Sequence, residues 1–403
     1  MLRVLKDHET FSSVDALRSS SDPLPASVEA VLAGGWSEMP VVIDRDPPLH
    51  SRIRGLVTRA FTPKRVAEME PRIVAAASEL IEGFAVDGRC DIVERFAWPL
   101  PLHVIGDLLG LPREDLPELH RLSNDWLSLF QPIDSVERQI ELAQSAVALQ
   151  RYFYDTLQAR VRSPGDDLMS ALLEVRDAID DPLSMVNVMG VPLDLVVAGH
   201  VTVTRAIGSA LALLLDHPEQ VHALRETPEL LPGAIEEVLR LQSPAQGLFR
   251  KTTRAVALGG VELPAGARLM VHFASANCDE RRFADPSAFD PRRAGVGRHV
   301  DLGRESTSAS VRHSLGSSSR SRYRCSSTAF RGFGATLARY PVESGSSSPA
   351  ATRASYLCGI HLRREMPSII LPVRQHHVRP LIRHRWRRPP RMSTTGGGGG
   401  RHR

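Results

Sequence analysis

The chain reads as a mainly α-helical protein with a small β part, on three observations. Apolar residues recur at helical spacing through residues 66–160, in VAEMEPRIVAAASELIEGFA and again in IELAQSAVALQRYFYDTLQARV. PLDLVVAGHVTVTRAIGSALALLLDHPEQ is apolar all round, which predicts one central, buried helix. FRKTTRAVALGGVELPAGARLMVHFAS alternates as strands do, with turns at Gly259-Gly260 and Pro264-Ala265-Gly266. It predicts a small mixed sheet near residues 250–275.

The other elements follow from their punctuation. In DRDPPLHSRIRGLVTRAFTP, Pro47-Pro48 stand where a helix begins, a position that tolerates proline. WPLPLHVIGDLLGLPRED holds a short apolar helix, and PELLPGAIEEVLRLQSP another, stopped by Pro244. The hydrophobic fraction is 42% and the aromatic fraction 5%, so the core is built mainly from Leu, Val, Ala and Ile. No apolar run is expected to cross a bilayer. MLRVLKDHETFSS has acids and no apolar stretch, unlike a secretory leader. Cys90, Cys278, Cys325 and Cys358 have neither metal-finger spacing nor a disulfide framework, so a cytoplasmic protein is expected.

The formal net charge of +4 conceals two unlike parts. Residues 1–304 are acidic and periodic; from Glu305 onward there is no Asp and the only Glu are Glu305, Glu343 and Glu365. The second part is Ser/Arg/Gly-rich without a period, a composition that predicts a low-order basic tail at 305–403. Such a tail can contact nucleic acid or a membrane surface, which leaves a non-catalytic helical binding protein as an alternative.

Four motifs point elsewhere. His50 and Arg54 lie four residues apart, on one helical face. Ala198, Gly199 and Thr202 form AGHVT within the long helix. EEVLR supplies Glu237 and Arg240, and Arg250 follows in LFRKTT. ANCDERRFADPSAFDPRR carries Arg292 and Arg293. Singly, each has a bland reading: a solvated helical face, an incidental threonine, a surface ion pair. In this order and spacing they closely resemble the bacterial-type cytochrome P450 family, over nearly all of residues 1–304.

That resemblance implies the P450 fold, haem b, O₂ and two electrons from a ferredoxin-type donor, and a monomer acting on a small hydrophobic substrate, with no nucleic-acid or membrane partner. His50, Arg54 and Arg250 would bind haem propionates, a task suited to a bidentate guanidinium with a second donor. Ala198 and Gly199 would leave room for O₂, and Thr202 would steady a water for proton delivery. Val201 departs from the family, which has an acid there. Glu237 and Arg240 would form a buried structural pair, completed by Arg292 or its neighbour Arg293. The segments around residues 30–45, 120–190 and 245–250 would face substrate; Trp36, Trp126, Leu127, Phe130 and Leu248 there serve core packing equally well.

Two further departures concern extent. LKDHETFSS resembles the segment just after the family's first strands, so an initial helix and strand pair are expected to be missing. HVDLGR, His299 to Arg304, begins the loop that carries the family's iron-ligating cysteine, but ESTSAS follows and no metal ligand stands in place. With the frame moved one base back after the Arg304 codon, the two fixed bases of each codon permit Gly-Ile-His-Phe-Cys-Val there, with the cysteine codon at Ala309. The expectation is an incomplete P450 domain, 1–304, followed by out-of-frame translation, 305–403.

Overall fold

The computed structural model describes residues 1–18, 23–36 and 41–300. The tail at 305–403, the Ala309 position and Cys325 lie outside the described residues.

The chain begins with α1 (Leu2–Lys6), a two-residue strand β1 (Phe11–Ser12) and α2 (Ala26–Leu32). A 3₁₀ turn at Val42–Asp44 leads into α3 (Leu49–Ala60). Then come α4 (Pro63–Ala85), α5 (Pro99–Leu109), α6 (Leu116–Ser128), α7 (Val136–Arg162) and α8 (Leu168–Asp177). Side chains mark the helix starts. Thr62, Ser135 and Asp167 each accept a hydrogen bond from the backbone N–H three residues on, satisfying donors that a helix start leaves open.

The long helix, α9, runs from Met185 to Asp216, with Ser184 accepting from Asn187 N at its start. It begins well before Pro192, which stands inside it. It also corrects an expectation: α9 is long and apolar enough to cross a bilayer, with a mean hydropathy of 1.5, although half of that stretch is buried within the protein. The central helix is likewise not buried all round. Leu193, Val196, Val197, His200 and Thr204 are buried, whereas Asp194, Ala198, Val201, Thr202 and Arg205 are not. With 3.6 residues per turn these five fall on one stripe.

After α10 (Pro218–Glu226) and α11 (Leu231–Leu241), the β part follows: β2 (Gly247–Thr252), β3 (Val256–Leu258), β4 (Val261–Leu263) and β5 (Arg268–His272). A short helix α12 (Phe273–Asn277) closes it. The strands form the three-stranded order β1-β2-β5 and a separate β3-β4 hairpin. Every described pairing is antiparallel, not mixed, because β5 folds back directly along β2.

Three apolar clusters hold these elements. The largest joins α3 through α9, the second joins α4, α5, α9 and α11, and the third lies under the sheet. Trp126 is nearly fully buried in the first, with Trp36, Leu127 and Phe130 against it, and Leu248 packs on the third. Core packing accounts for these residues.

Candidate functional site: an open helix face beside unpaired arginines

α3 carries His50 and Arg54 one turn apart, and β2 carries Arg250. Arg250 is buried, 6% exposed, and its hydrogen bond among the described residues is from Nη1 to Phe249 O, 2.8 Å. Burial holds its pKa below the usual range, against the pull of Asp46 and Asp44. Arg54 Nε is buried with no hydrogen-bond partner among the described residues. Burial also lowers the His50 pKa, opposed by Asp46. Asp46 thus attracts both His50 and Arg250 while its oxygens are held by Ser12 Oγ and Ser13 N–H, at 2.5 and 2.8 Å. His50 and Arg250 share this carboxylate's neighbourhood rather than a direct bond to one another, and Arg54 is tied to them by its place one turn along α3 from His50.

The α9 stripe runs nearby, tied to the same segment: Asp194 Oδ2 accepts from Val42 N, 2.5 Å. Thr202 Oγ donates to Ala198 O, 2.7 Å, a bond one turn back that bends helices slightly. Ala198 is exposed on the stripe. Gly199 also serves packing. A Cβ there would come within 3.1 Å of Ile105 Cδ1, so its smallness admits α5 to the side of α9.

Behind the stripe is a pair that the sequence did not suggest. His200, on the buried side, meets His120 of α6, Nε2 to Nδ1, 2.9 Å. His120 stacks on Trp98 with ring centroids 4.5 Å apart and reaches Asn124. Burial first, and His120 second, push the His200 pKa down to about 3, so it is neutral at ordinary pH and serves as a hydrogen-bonding link between helices.

The structural cluster is complete. Glu237 and Arg240 are fully buried and joined by two bonds, Nε–Oε2 at 2.7 Å and Nη2–Oε1 at 2.8 Å. Arg240 also donates to Asn277 O, Pro286 O and Ala288 O, at 2.8, 2.7 and 3.2 Å. The third member is Arg293, Nε to Glu237 Oε1 at 2.8 Å. Arg292 is exposed; its backbone N–H bonds Asp290, and that turn sends the side chain outward. Gly233 permits the approach, since a Cβ there would lie 2.2 Å from Pro291 O. Burial would raise the Glu237 pKa, but hydrogen bonds from Arg240 and Arg293 outweigh it and leave the pKa lowered. His299 Nε2 meets Glu236 Oε2 at 2.9 Å, and Val300 exchanges two bonds with the Asn277 side chain, fixing the last described residues against α11 and α12.

Residues 108–294 match the cytochrome P450 family model. The chain is 40% identical over 266 residues to cytochrome P450 107B1 of Saccharopolyspora erythraea, covering 66% of this chain and 63% of that protein. It is 34% identical over 285 residues to cytochrome P450 130 of Mycobacterium tuberculosis, covering 70% and 68%. The solved structure of cytochrome P450 CREJ in complex with (4-ethylphenyl) dihydrogen phosphate superposes with a TM-score of 0.74 at 27% identity, over 83% of this chain and 81% of that one.

The chain belongs to the cytochrome P450 family. It spans a little under two thirds of the length of the first curated relatives it matches, 63% and 65%.

The family's prosthetic group is haem, and the described residues can be tested against it. Among the described residues, a buried guanidinium with no bonded carboxylate and a second with an unbonded Nε are what a pair of propionates would need. On that side the residues fit. The described cysteines are Cys90, half-buried, and Cys278, exposed; neither lies on α3, α9 or β2. A groove of about 370 Å³ between α6 and α7, lined by Arg121, Asp125, Arg138 and Glu141, is a salt-linked surface feature apart from these residues.

Proposed function

We propose that this P450 serves as a monooxygenase of small hydrophobic substrates, taking O₂ and two electrons from a ferredoxin-type donor, as a cytoplasmic monomer. The observation that carries the reading is two arginines beside an open stripe on an apolar helix: Arg250, buried and bonded to one carbonyl, and half-buried Arg54, whose Nε has no hydrogen-bond partner among the described residues. His50, Arg54 and Arg250 would hold the propionates by charge-assisted bonds. When bound with a thiolate ligand, haem supplies the O₂-activating chemistry. Ala198 keeps the stripe shallow, so that O₂ and substrate fit against α9. Thr202 Oγ, donating to Ala198 O, keeps lone pairs free to accept from a water and hold it for proton delivery. Val201 contributes no proton, unlike the acid that the family carries there.

The chain as written is proposed to bind haem weakly and to turn over poorly, because ESTSAS occupies the place of the cysteine loop. Resequencing of the source gene is expected to restore one base after the Arg304 codon and a cysteine codon at Ala309. The reduced, carbon-monoxide-bound spectrum tests both parts. The frame-restored protein is expected to give the thiolate-type Soret band, and the chain as written none. A thiolate-type band from the chain as written would refute the impairment, and its absence from the restored protein would refute the function.

A further inference from the structure

We propose that Asp194 is a specificity-determining residue that selects substrates bearing a basic nitrogen, held about one helical turn from Ala198 along the open stripe of α9. This rests on reading the stripe as the substrate side of the cleft.

Asp194 is the only carboxylate between Met185 and Thr204, in a run that is otherwise apolar or uncharged. It shares the stripe with Ala198 and Thr202 and stands four residues before Ala198, or about 6 Å along the helix axis. The residue is half-buried, on the same open stripe as Ala198, and burial is the largest influence on its carboxyl. Among the described residues its hydrogen-bond partner is Val42 N–H, on Oδ2. Oδ1 remains for a ligand.

The field there favours a cation. Asp44 lies close enough to repel Asp194, and the nearby cation, Arg45, is 3.9 Å from the Asp44 carboxylate and bonds the Asp44 carbonyl. Arg205, farther along the stripe, donates to Pro244 O. Burial dominates at Asp194, Val42 N–H opposes it and Asp44 adds to it, so the pKa is pushed up to about 8. The carboxyl is therefore largely protonated when nothing cationic is beside it. A protonated amine reverses this: Asp194 ionises, its proton leaves to solvent, and an ion pair forms in the cleft. Binding of such a substrate releases up to one proton, and binding of a neutral analogue releases none.

The probes are adamantylmethanol and its tertiary-amine counterpart, dimethyl(adamantylmethyl)amine, titrated into the full chain by calorimetry. Wild type is expected to bind the amine more tightly, by up to about tenfold per pH unit from about pH 6 to about pH 8, while the alcohol shows no such dependence. Asp194→Asn, which keeps the acceptor for Val42 N–H, is expected to lose the amine preference and the proton release and to bind the alcohol as before. Ala198→Trp, which fills the stripe, is expected to abolish binding of both. If Ala198→Trp blocks the alcohol but the amine preference is absent, or survives in Asp194→Asn, the proposal is overturned and the cleft stands. If neither probe binds, or Ala198→Trp changes nothing, the cleft reading itself fails and the proposal with it.

Discussion

Two arginine sites in this fold are built to opposite rules. Around Arg240 every charge is answered: Glu237 takes two of its bonds, three carbonyls take the rest, and Arg293 completes the carboxylate. Around Arg250 and Arg54, among the described residues, there is one bond to a carbonyl at the first and an unbonded Nε at the second. Both regions take guanidinium groups out of water, which is costly unless the charge is compensated. The first is compensated by the fold and belongs to its stability. The second has no such bonds among the described residues, and under the proposed function it takes an anion from outside. The difference is the one expected between structural and ligand-binding arginines.

The largest expected effect comes from breaking the closed site. Arg240→Ala leaves the buried Glu237 carboxylate with Arg293 as its one cationic partner among the described residues, and leaves three carbonyls without their donor; it is expected to cost about 3–5 kcal/mol in denaturant unfolding, enough to unfold a marginal domain. A loss under 1 kcal/mol would show, on the order expected for a surface pair, that the cluster is not the desolvated network described.

The open site should respond with the opposite sign. Arg250→Met removes a buried charge that Asp46 and Asp44 attract without bonding it among the described residues, so stability without haem is expected to stay within about 1 kcal/mol of wild type or to rise. A thermal unfolding scan showing a loss like that of Arg240→Ala would erase the contrast between the two sites.

How far the sequence anticipates this depends on what distinguishes each residue. Spacing is enough to put His50 with Arg54 on one face of α3, Ala198 with Thr202 on one face of α9, and Glu237 beside Arg240, because each pair sits within one helix whose periodicity fixes its face. Arg292 and Arg293 are adjacent and identical, and only the turn at Asp290 decides which points inward. The His120–His200 bond joins residues 80 apart, beyond any local pattern. Asp194 left one signal, a lone acid in an apolar run, but its meaning depends on Val42 and Asp44 packing against α9. The half-open face of α9 was hidden by its uniform apolarity, since a helix lining a cleft and a helix in a core have the same composition.

A third prediction uses pH. The Asp194 pKa is raised from 3.8 in the unfolded chain to about 8, so its stabilising contribution is full below the unfolded value and is lost as pH rises through the folded one. The Asp44 window closes at about 6, and the His200 window, of opposite sign, spans about 3 to 6.5. From about pH 6.5 to about pH 8, wild type is therefore expected to lose on the order of 1 kcal/mol more than Asp194→Asn. Parallel pH profiles would remove Asp194 from the account.

The smallest effect is expected at Thr202. Thr202→Val removes a back-bond to Ala198 on an open face, and stability should change by no more than about 0.5 kcal/mol. A large loss would mark Thr202 as a structural residue.

The central claim, that Arg54 and Arg250 await the carboxylates of a ligand, is tested most directly by comparing haem with its dimethyl ester, which lacks free propionates. Soret titration of the chain is expected to show at least about tenfold preference for the free acid, disappearing in the Arg54→Leu/Arg250→Leu double variant. Equal affinity of the wild-type chain for acid and ester would contradict the claim.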